Sequence, residues 1–440
     1  MELAPLMQLP GTLRALRHRN YRLYFFGQIT SMVGTWMQTV AQAWLVYRLT
    51  KSSALLGAVG FTSQIPVLLL APFGGAVADR YPKHPIIVAT QVASMILAFV
   101  LAALTLTGSI QIWEIFVLSA LLGVVNAFDF PARQAFNVEM VGKADLMNAV
   151  ALNVSIVNAS RIVGPAVAGI LVAILGEGWC FFGNGVSFLA VIAGLLRMRL
   201  APDEEAQHSG SPLENIREGY RFIRSQRALY SLLLLVATMS LTAMPYSTMM
   251  PIFAGDILHG GPQALGLLMG CGGIGALAAA VRLASRRDLG GLEHWMIGGG
   301  VAGGVLLAAF ACSRSFALSL AIMAPMGFGM MTALGASNTL LQSMAPDRLR
   351  GRIMSFHTMM FFGTAPVGSL VAGAVAEKFG APLTVSIGGL VSAAAYAIFW
   401  MGLKKFDGNA RELQATHCAE GNGSAASSPT PELPTGARTL

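Results

Sequence analysis

The stretch from residue 54 to residue 84 reads ALLGAVGFTSQIPVLLLAPFGGAVADRYPKH, and it contains the features that decide the fold. Residues 54–78 carry no charge, and as a helix they would extend about 37 Å, enough to cross a hydrocarbon core of about 30 Å. Asp79, Arg80 and Lys83 follow at once, as is typical of a loop at a membrane surface. The stretch therefore predicts a membrane-spanning helix and the point where it leaves the bilayer.

The rest of the chain repeats this pattern. Of its 440 residues, 55% are hydrophobic and only 11% are charged, a balance that excludes an ordinary soluble domain. The first 20 residues are polar and rich in arginine, so we expect no cleavable signal peptide. We predict an all-α polytopic membrane protein with twelve transmembrane helices, at about 21–47, 54–78, 86–107, 112–136, 148–175, 179–198, 229–253, 263–281, 293–311, 317–341, 353–376 and 382–403.

The net charge of +8 could suggest a nucleic-acid partner, but the placement of the charge argues against one. With both termini in the cytoplasm, 24 of the 29 lysines and arginines fall on the cytoplasmic side, and Arg161 falls at membrane depth. The opposite side has four: Arg48, Lys51, Arg314 and Lys378. Because cytoplasmic loops are enriched in lysine and arginine, the sequence predicts a multi-pass protein of the bacterial inner membrane with both ends inside and no nucleic-acid partner.

Three glycines recur at a fixed distance along the chain. Gly164, Gly169 and Gly176 reappear 204 positions later as Gly368, Gly373 and Gly380. The copies lie on spans 5 and 11, and an offset of six spans keeps them parallel. The repeat predicts two parallel six-helix bundles, 21–198 and 229–403, flanked by a cytoplasmic segment 1–20, a linker 199–228 and a disordered tail 404–440.

The linker contains a helix-start pattern. Ser211 is a capping residue, Pro212 suits the first helical turn, and Glu214 can bond back to the start. The apolar residues that follow share one face, which predicts an amphipathic helix on the inner membrane surface: Leu213, Ile216, Tyr220 and Ile223. The helix is either a plain linker or a site of regulatory binding.

Two charges lie toward the inner end of span 4. Asp129 and Arg133 are four residues apart and share a helix face, and Pro131 between them should bend the helix. One interpretation is a local ion pair that anchors the inner end of the span. The other is a carboxylate that changes partner, or takes up a proton, as the two halves move.

The third charge, Arg161, lies about 21 Å into span 5. An unpaired arginine there is costly, so it must face the protein interior or a wet cavity. Asn158 and Pro165 fall on the same face. Three interpretations remain: Arg161 binds an anion in the translocation path, pairs with Asp129, or bonds to backbone carbonyls.

The loop at residues 75–84, GAVADRYPKH, resembles the signature of the major facilitator superfamily in the loop after span 2. The resemblance implies a latch between the two halves, formed by Gly75, Asp79, Arg80 and Lys83. Gly75, which has no side chain, should permit a close contact between helices. A purely topological role for these charges is the alternative. Gly164, Pro165 and Gly169 resemble part of the exporter signature of that family, which implies gating by helix bending with Pro131 in a similar role.

Asp129-Phe-Pro-Ala-Arg133 and Arg161-Ile-Val-Gly164-Pro165 look most like the branch that contains the enterobactin exporter and related transmembrane secretion effectors. The resemblance implies a monomeric secondary transporter that exports a small amphipathic molecule in exchange for protons. An importer or facilitator, or a non-transporting scaffold or sensor, is the alternative.

We find no catalytic constellation, cofactor motif or metal-ligand cluster, and we expect none. Large polar or aromatic residues near mid-span are the expected cavity residues: Trp36, Gln38, Gln42, Gln64, Asn158, Tyr246 and Asn338.

Overall fold

The computed structural model describes residues 11–199, 212–286, 288, 290–346 and 349–402. The first half begins with a short 3₁₀ helix, Gly11–Arg17, and continues with six long helices. These are α1 Arg19–Thr50, α2 Ser53–Arg80, α3 Lys83–Leu106, α4 Ile112–Gly142, α5 Ala144–Leu175 and α6 Glu177–Leu196.

The second half has the same number of long helices, preceded by a linker helix, Pro212–Ser225. They are α7 Arg227–Ile257, α8 Gly261–Ala284, α9 Leu292–Cys312, α10 Phe316–Met344, α11 Arg350–Phe379 and α12 Ala381–Met401. The tail predicted at 404–440 lies outside the described residues, as do residues 1–10 and most of the segment before the linker helix.

Eleven of these helices, α2 to α12, are long and apolar enough to cross a membrane within the described ranges. At 32 residues α1 is also long enough, but it is more polar because it begins with Arg19 and Arg22 and carries glutamines on its inner face. The prediction of an all-α polytopic membrane protein is confirmed, and the predicted spans match the helices to within a few residues. The span predicted at 54–78, for example, is helical over Ser53–Arg80.

Glycines with positive φ mark the sharpest turns. Gly142 (φ 69°) separates α4 from α5, Gly176 (φ 88°) ends α5, and Gly380 (φ 85°) ends α11. Only glycine adopts such angles without a steric penalty. Gly176 and Gly380 are one of the repeated pairs, so both halves turn at equivalent positions.

The first repeated glycine packs a helix within its own half. A Cβ added to Gly164 would lie 2.5 Å from the Cβ of Trp36 on α1, and one added to Gly368 would collide with the Leu241 carbonyl on α7. No side chain fits in either contact. The equivalent helices of the two halves therefore meet in the same way.

The second repeated glycine joins the halves. A Cβ on Gly169 would lie 3.1 Å from Cα of Gly266 on α8, and one on Gly373 would lie 3.0 Å from Cα of Gly57 on α2. Small residues let helix backbones approach closely in this way. The two glycine contacts form the α5–α8 and α2–α11 seams, which we call the glycine seams.

The glycine seams lie near one end of the molecule. We call the end where α2 gives way to α3, at residues 80–83, the basic end, and the end where α1 gives way to α2, at residues 50–53, the opposite end. Gly57, Gly169, Gly266 and Gly373 all lie within about two turns of the helix terminus at the opposite end. The halves are therefore closed against each other there.

Candidate translocation cavity

A cavity of about 1540 Å³ lies between the two halves. Its wall extends from Asn137 and Gly351, toward the basic end, to Val46 and Leu56, toward the opposite end. Most of the wall is apolar and includes seven methionines: Met32, Met244, Met269, Met330, Met331, Met354 and Met359. Flexible thioethers adapt to irregular ligands, so the cavity suits apolar groups of varied shape.

The cavity wall contains most of the residues expected there. It includes Trp36, Gln38, Gln42, Gln64 and Tyr246, contributed by α1, α2 and α7.

Two expected residues, Asn158 and Asn338, are not part of the wall, and here the expectation is corrected. The Asn158 side chain donates a hydrogen bond to the Val154 carbonyl at 2.9 Å, and Asn338 accepts one from Gln342 at 2.6 Å. Each amide thus bonds along its own helix rather than lining the cavity.

Asp129 and Arg133 lie within ion-pair distance, with Oδ2 and Nε 2.5 Å apart. Asp129 also accepts hydrogen bonds from Thr90 (2.7 Å) and Gln91 (3.1 Å) on α3, and Arg133 donates to Gln28 on α1 (2.7 Å). The Asp129 side chain is only 3% exposed, although the residue reaches the cavity wall. The pair is therefore electrically neutral, and its hydrogen bonds connect α4 to α1 and α3.

The polar partners of this pair were not expected from the sequence. Thr90, Gln91 and Gln28 are polar residues on largely apolar spans. That polarity was the signal in the sequence that could have identified them as partners of the ion pair. Pro131 lies in the cavity wall within a continuous helix, since the nearest non-helical residue of α4 is Gly142. The helix is therefore unbroken at Pro131, although proline lacks the backbone N–H that would bond to the preceding turn.

The structure corrects the expected packing role of Gly75. A Cβ added to Gly75 meets nothing within 4 Å, whereas one added to the neighbouring Gly74 would collide with the Ala127 carbonyl on α4. That carbonyl is the one whose helical donor is missing at Pro131. Gly74 thus provides the close helix contact that the signature suggested for Gly75.

The remaining residues of the predicted latch lie at the basic end. Asp79 and Arg80 are exposed, and no described residue forms an ion pair with Asp79. Lys83 pairs with Glu139 at the end of α4 at 3.0 Å, within the same half. The described ion pair of this loop therefore lies within the first half.

The adjacent glycines give a stability prediction. Gly74→Ala should lower the free energy of unfolding by about 1–3 kcal/mol, because it overpacks a close helix contact, whereas Gly75→Ala should leave it unchanged or raise it slightly. Thermal unfolding of the two purified variants in the same detergent measures the difference. Equal midpoints would contradict this account of the α2–α4 contact.

Arg161 lies near the middle of α5 and reaches the cavity wall, half-buried. Its guanidinium carbon is 5.7 Å from the centre of the Trp36 ring, a cation–π distance. Within the described ranges no carboxylate lies within 4 Å of it. Asp129 pairs with Arg133, so the structure does not contain the pairing of Asp129 with Arg161 that was considered as an alternative.

Gly164, Pro165 and Gly169 bring α5 against two helices. Gly164 packs on Trp36 of α1, while the Pro165 carbonyl and Gly169 pack on Gly266 of α8. The motif therefore connects one contact within the first half to one glycine seam between the halves.

Comparison with known proteins agrees with this architecture. The chain is 25% identical to the staphyloferrin A transporter of Staphylococcus aureus (strain NCTC 8325 / PS 47), over 86% of this chain and 95% of the relative. It is also 25% identical to the multidrug efflux pump Tap of Mycolicibacterium fortuitum, over 81% and 89%. The crystal structure of the nucleoside transporter NupG superposes with a TM-score of 0.67 at 15% identity, covering 88% of this chain and 99% of that one.

The transmembrane secretion effector family matches residues 10–421, nearly the whole chain. The match spans both six-helix halves, the cavity between them and the seams that close it. This protein is therefore a transporter, not an enzyme, and it belongs to the transmembrane secretion effector family of the major facilitator superfamily.

Proposed function

We propose that this protein exports a small amphipathic molecule, driven by proton influx, by alternating access. The observation that supports this most is the cavity between two repeated halves that are closed against each other at the opposite end. A site sealed on one side between two rocking bundles is what alternating access requires. The relatives named for efflux and for a siderophore support the type of cargo and the direction of transport.

The proposed membrane is the bacterial inner membrane, with the protein acting as a monomer. The excess of lysine and arginine assigns the basic end and both termini to the cytoplasm. The described conformation then faces inward, with the periplasmic side closed. Exposed Asp79 and Arg80 are consistent with a latch that engages only when the cytoplasmic side closes.

The periplasmic closure has polar contacts as well as the glycine seams. The Tyr47 hydroxyl on α1 donates to Asp256 on α7 at 2.5 Å, and Lys51 donates to Tyr47 at 2.9 Å. This hydrogen bond raises the pKa of Lys51 and keeps the lysine charged. Asp256 is on a π-helical turn, Phe253–Ile257, where Gly255 makes room for the Tyr47 ring.

A second polar contact joins α11 to the start of α2. One oxygen of Glu377 accepts hydrogen bonds from the hydroxyls of Ser52 and Ser53 and from the Ala54 N–H, each at 3.0 Å. A carboxylate at a helix N-terminus is stabilised by the helix dipole. We call the Asp256 and Glu377 contacts the periplasmic gate, and both must break for the cavity to open outward.

Weakening the periplasmic gate should shift the protein toward the outward-facing state. With Asp256→Asn and Glu377→Gln combined, a cysteine at Gln42 in the cavity wall should react roughly fivefold faster with an impermeant maleimide added outside whole cells. The matched control is Glu114→Gln, since the hydrogen bond described for Glu114 is to the start of its own helix. Equal labelling rates in the gate variant and the control would contradict the assignment.

Everted membrane vesicles provide the test of transport. In vesicles energised to an acidic interior, an exported compound should release protons, seen as recovery of the fluorescence of a pH-sensitive dye, only when this protein is present. The compounds are amphipathic drugs and siderophores. Uptake into right-side-out vesicles would indicate an importer instead. No compound-dependent signal, with no effect of Arg161→Leu on any cellular phenotype, would favour a scaffold.

A further inference from the structure

The cavity wall has an uncompensated positive charge. Among the described residues that form it, three are charged: Asp129, Arg133 and Arg161. Asp129 and Arg133 neutralise each other in a close ion pair. Arg161 has no carboxylate within 4 Å among the described residues, so the cavity has a net charge of +1 there.

Neighbouring helices pack closely around Arg161. Trp36 lies at cation–π distance on one side, and Gly164, one turn further along α5, allows α1 to bring Trp36 that close. Gly273 of α8 approaches the Arg161 backbone, with an added Cβ only 3.3 Å from the Arg161 carbonyl. Tyr246 of α7 also lies in the wall, close enough to interact electrostatically with Arg161.

An arginine that lacks a nearby carboxylate and lies beside aromatic side chains is suited to an anionic ligand. Its planar donors match a carboxylate bidentately, and a cation at membrane depth gains most when a ligand supplies the missing charge. The aromatic and methionine side chains of the wall offer apolar surface to the rest of the molecule. One unpaired cation compensates one negative charge, which favours a monoanion over a dianion or a cation.

We propose that the cavity binds an amphipathic carboxylate, with the carboxylate on the Arg161 guanidinium and the apolar body against Trp36 and Tyr246. The inference rests on the proposed transport function for its biological meaning. The binding site itself can be tested without transport.

The experiment uses the full-length protein in lipid nanodiscs and three probes with one ring system: 2-naphthoate, the neutral 2-naphthamide and cationic 2-naphthylmethylammonium. Equilibrium dialysis against empty nanodiscs measures binding to the protein alone. We expect naphthoate to bind at least about tenfold more tightly than the amide, as one charge-assisted hydrogen-bonded contact would give. The cation should bind most weakly.

Substitutions at Arg161 test whether this side chain causes the preference for naphthoate over naphthamide. Arg161→Gln should reduce the ratio of naphthoate to naphthamide affinity to about one while leaving naphthamide binding intact, which shows that the protein is folded. Arg161→Lys should keep part of the ratio, since it retains the charge but not the bidentate geometry. Arg314→Gln, which removes a positive charge from an exposed position outside the cavity wall, should behave like the wild type.

Each contrary result overturns the inference. Absence of naphthoate binding, equal affinities for the three probes, or a preference that survives Arg161→Gln would each do so. Proton release in everted vesicles is measured separately, so an anion site that fails while transport persists is distinguishable from failure of the proposed function.

Discussion

Asp129→Asn should reduce pH-driven transport in proteoliposomes to the level of empty liposomes while substrate exchange continues. The amide oxygen that replaces the carboxylate can still accept the hydrogen bonds from Thr90 and Gln91. The amide cannot, however, take up a proton. The proposed proton influx needs a group that takes up a proton, and a buried carboxylate favours protonation whenever its positive partner turns away from it. Exchange needs only the conformational change of the loaded protein, so it should persist.

The control for this substitution is Glu177→Gln. Glu177 also forms an ion pair with an arginine of the same half, with Oε1 2.7 Å from Nε of Arg48, but the pair lies outside the cavity wall. The control should retain pH-driven transport. If Asp129→Asn transports as well as the wild type under a pH gradient, Asp129 has only a structural role.

Gly169→Val should reduce transport at least tenfold by preventing closure of the opposite end. The valine side chain would meet the Pro262 carbonyl, 2.8 Å from an added Cβ, and the Gly266 backbone. Since these atoms belong to the other half, the clash acts on closure rather than on the fold of one bundle. A cysteine at Gln42 should at the same time become more reactive from outside.

The matched control is Gly298→Val on α9, where an added Cβ meets nothing within 4 Å. If Gly169→Val expresses poorly, Gly169→Ala adds a smaller side chain at the same seam, with its Cβ 2.8 Å from the Pro262 carbonyl. Normal transport with unchanged labelling in both seam variants would show that the glycine seams do not control access.

The fold was largely predictable because membrane spans are defined by local properties. Length and lack of charge are sufficient to place a helix such as Ser53–Arg80, and a glycine repeat is visible in the sequence. The i, i+4 spacing also predicted that Asp129 and Arg133 can meet. The first helix, α1, meets the criterion of low polarity less well than the others, because it is polar along the face that lines the cavity.

Contacts between helices were less predictable, because sequence patterns do not give the rotation of each helix. Asn158 shares a helix face with Arg161 yet bonds back to Val154 instead of reaching the cavity. The signature motif suggested Gly75, but the adjacent Gly74 makes the close contact.

The periplasmic gate could not be inferred from the sequence for the same reason. Tyr47 and Asp256 are more than 200 residues apart, and the π-helical turn that presents Asp256 has no clear sequence signal. Gly169 was expected to allow close packing and a helix bend, but the helix that it packs against, α8, became visible only with both halves in place.

Distances between spin labels at Leu49 and Lys378, in a chain whose four cysteines are replaced, show whether the opposite end opens and closes. Both positions are exposed at the opposite end, on helices of different halves. The account predicts a short distance from the closed conformation and a second, longer population that grows when the periplasmic gate is weakened by Asp256→Asn and Glu377→Gln. A single short distance, unchanged in the gate variant and at every pH, would contradict alternating access in this protein.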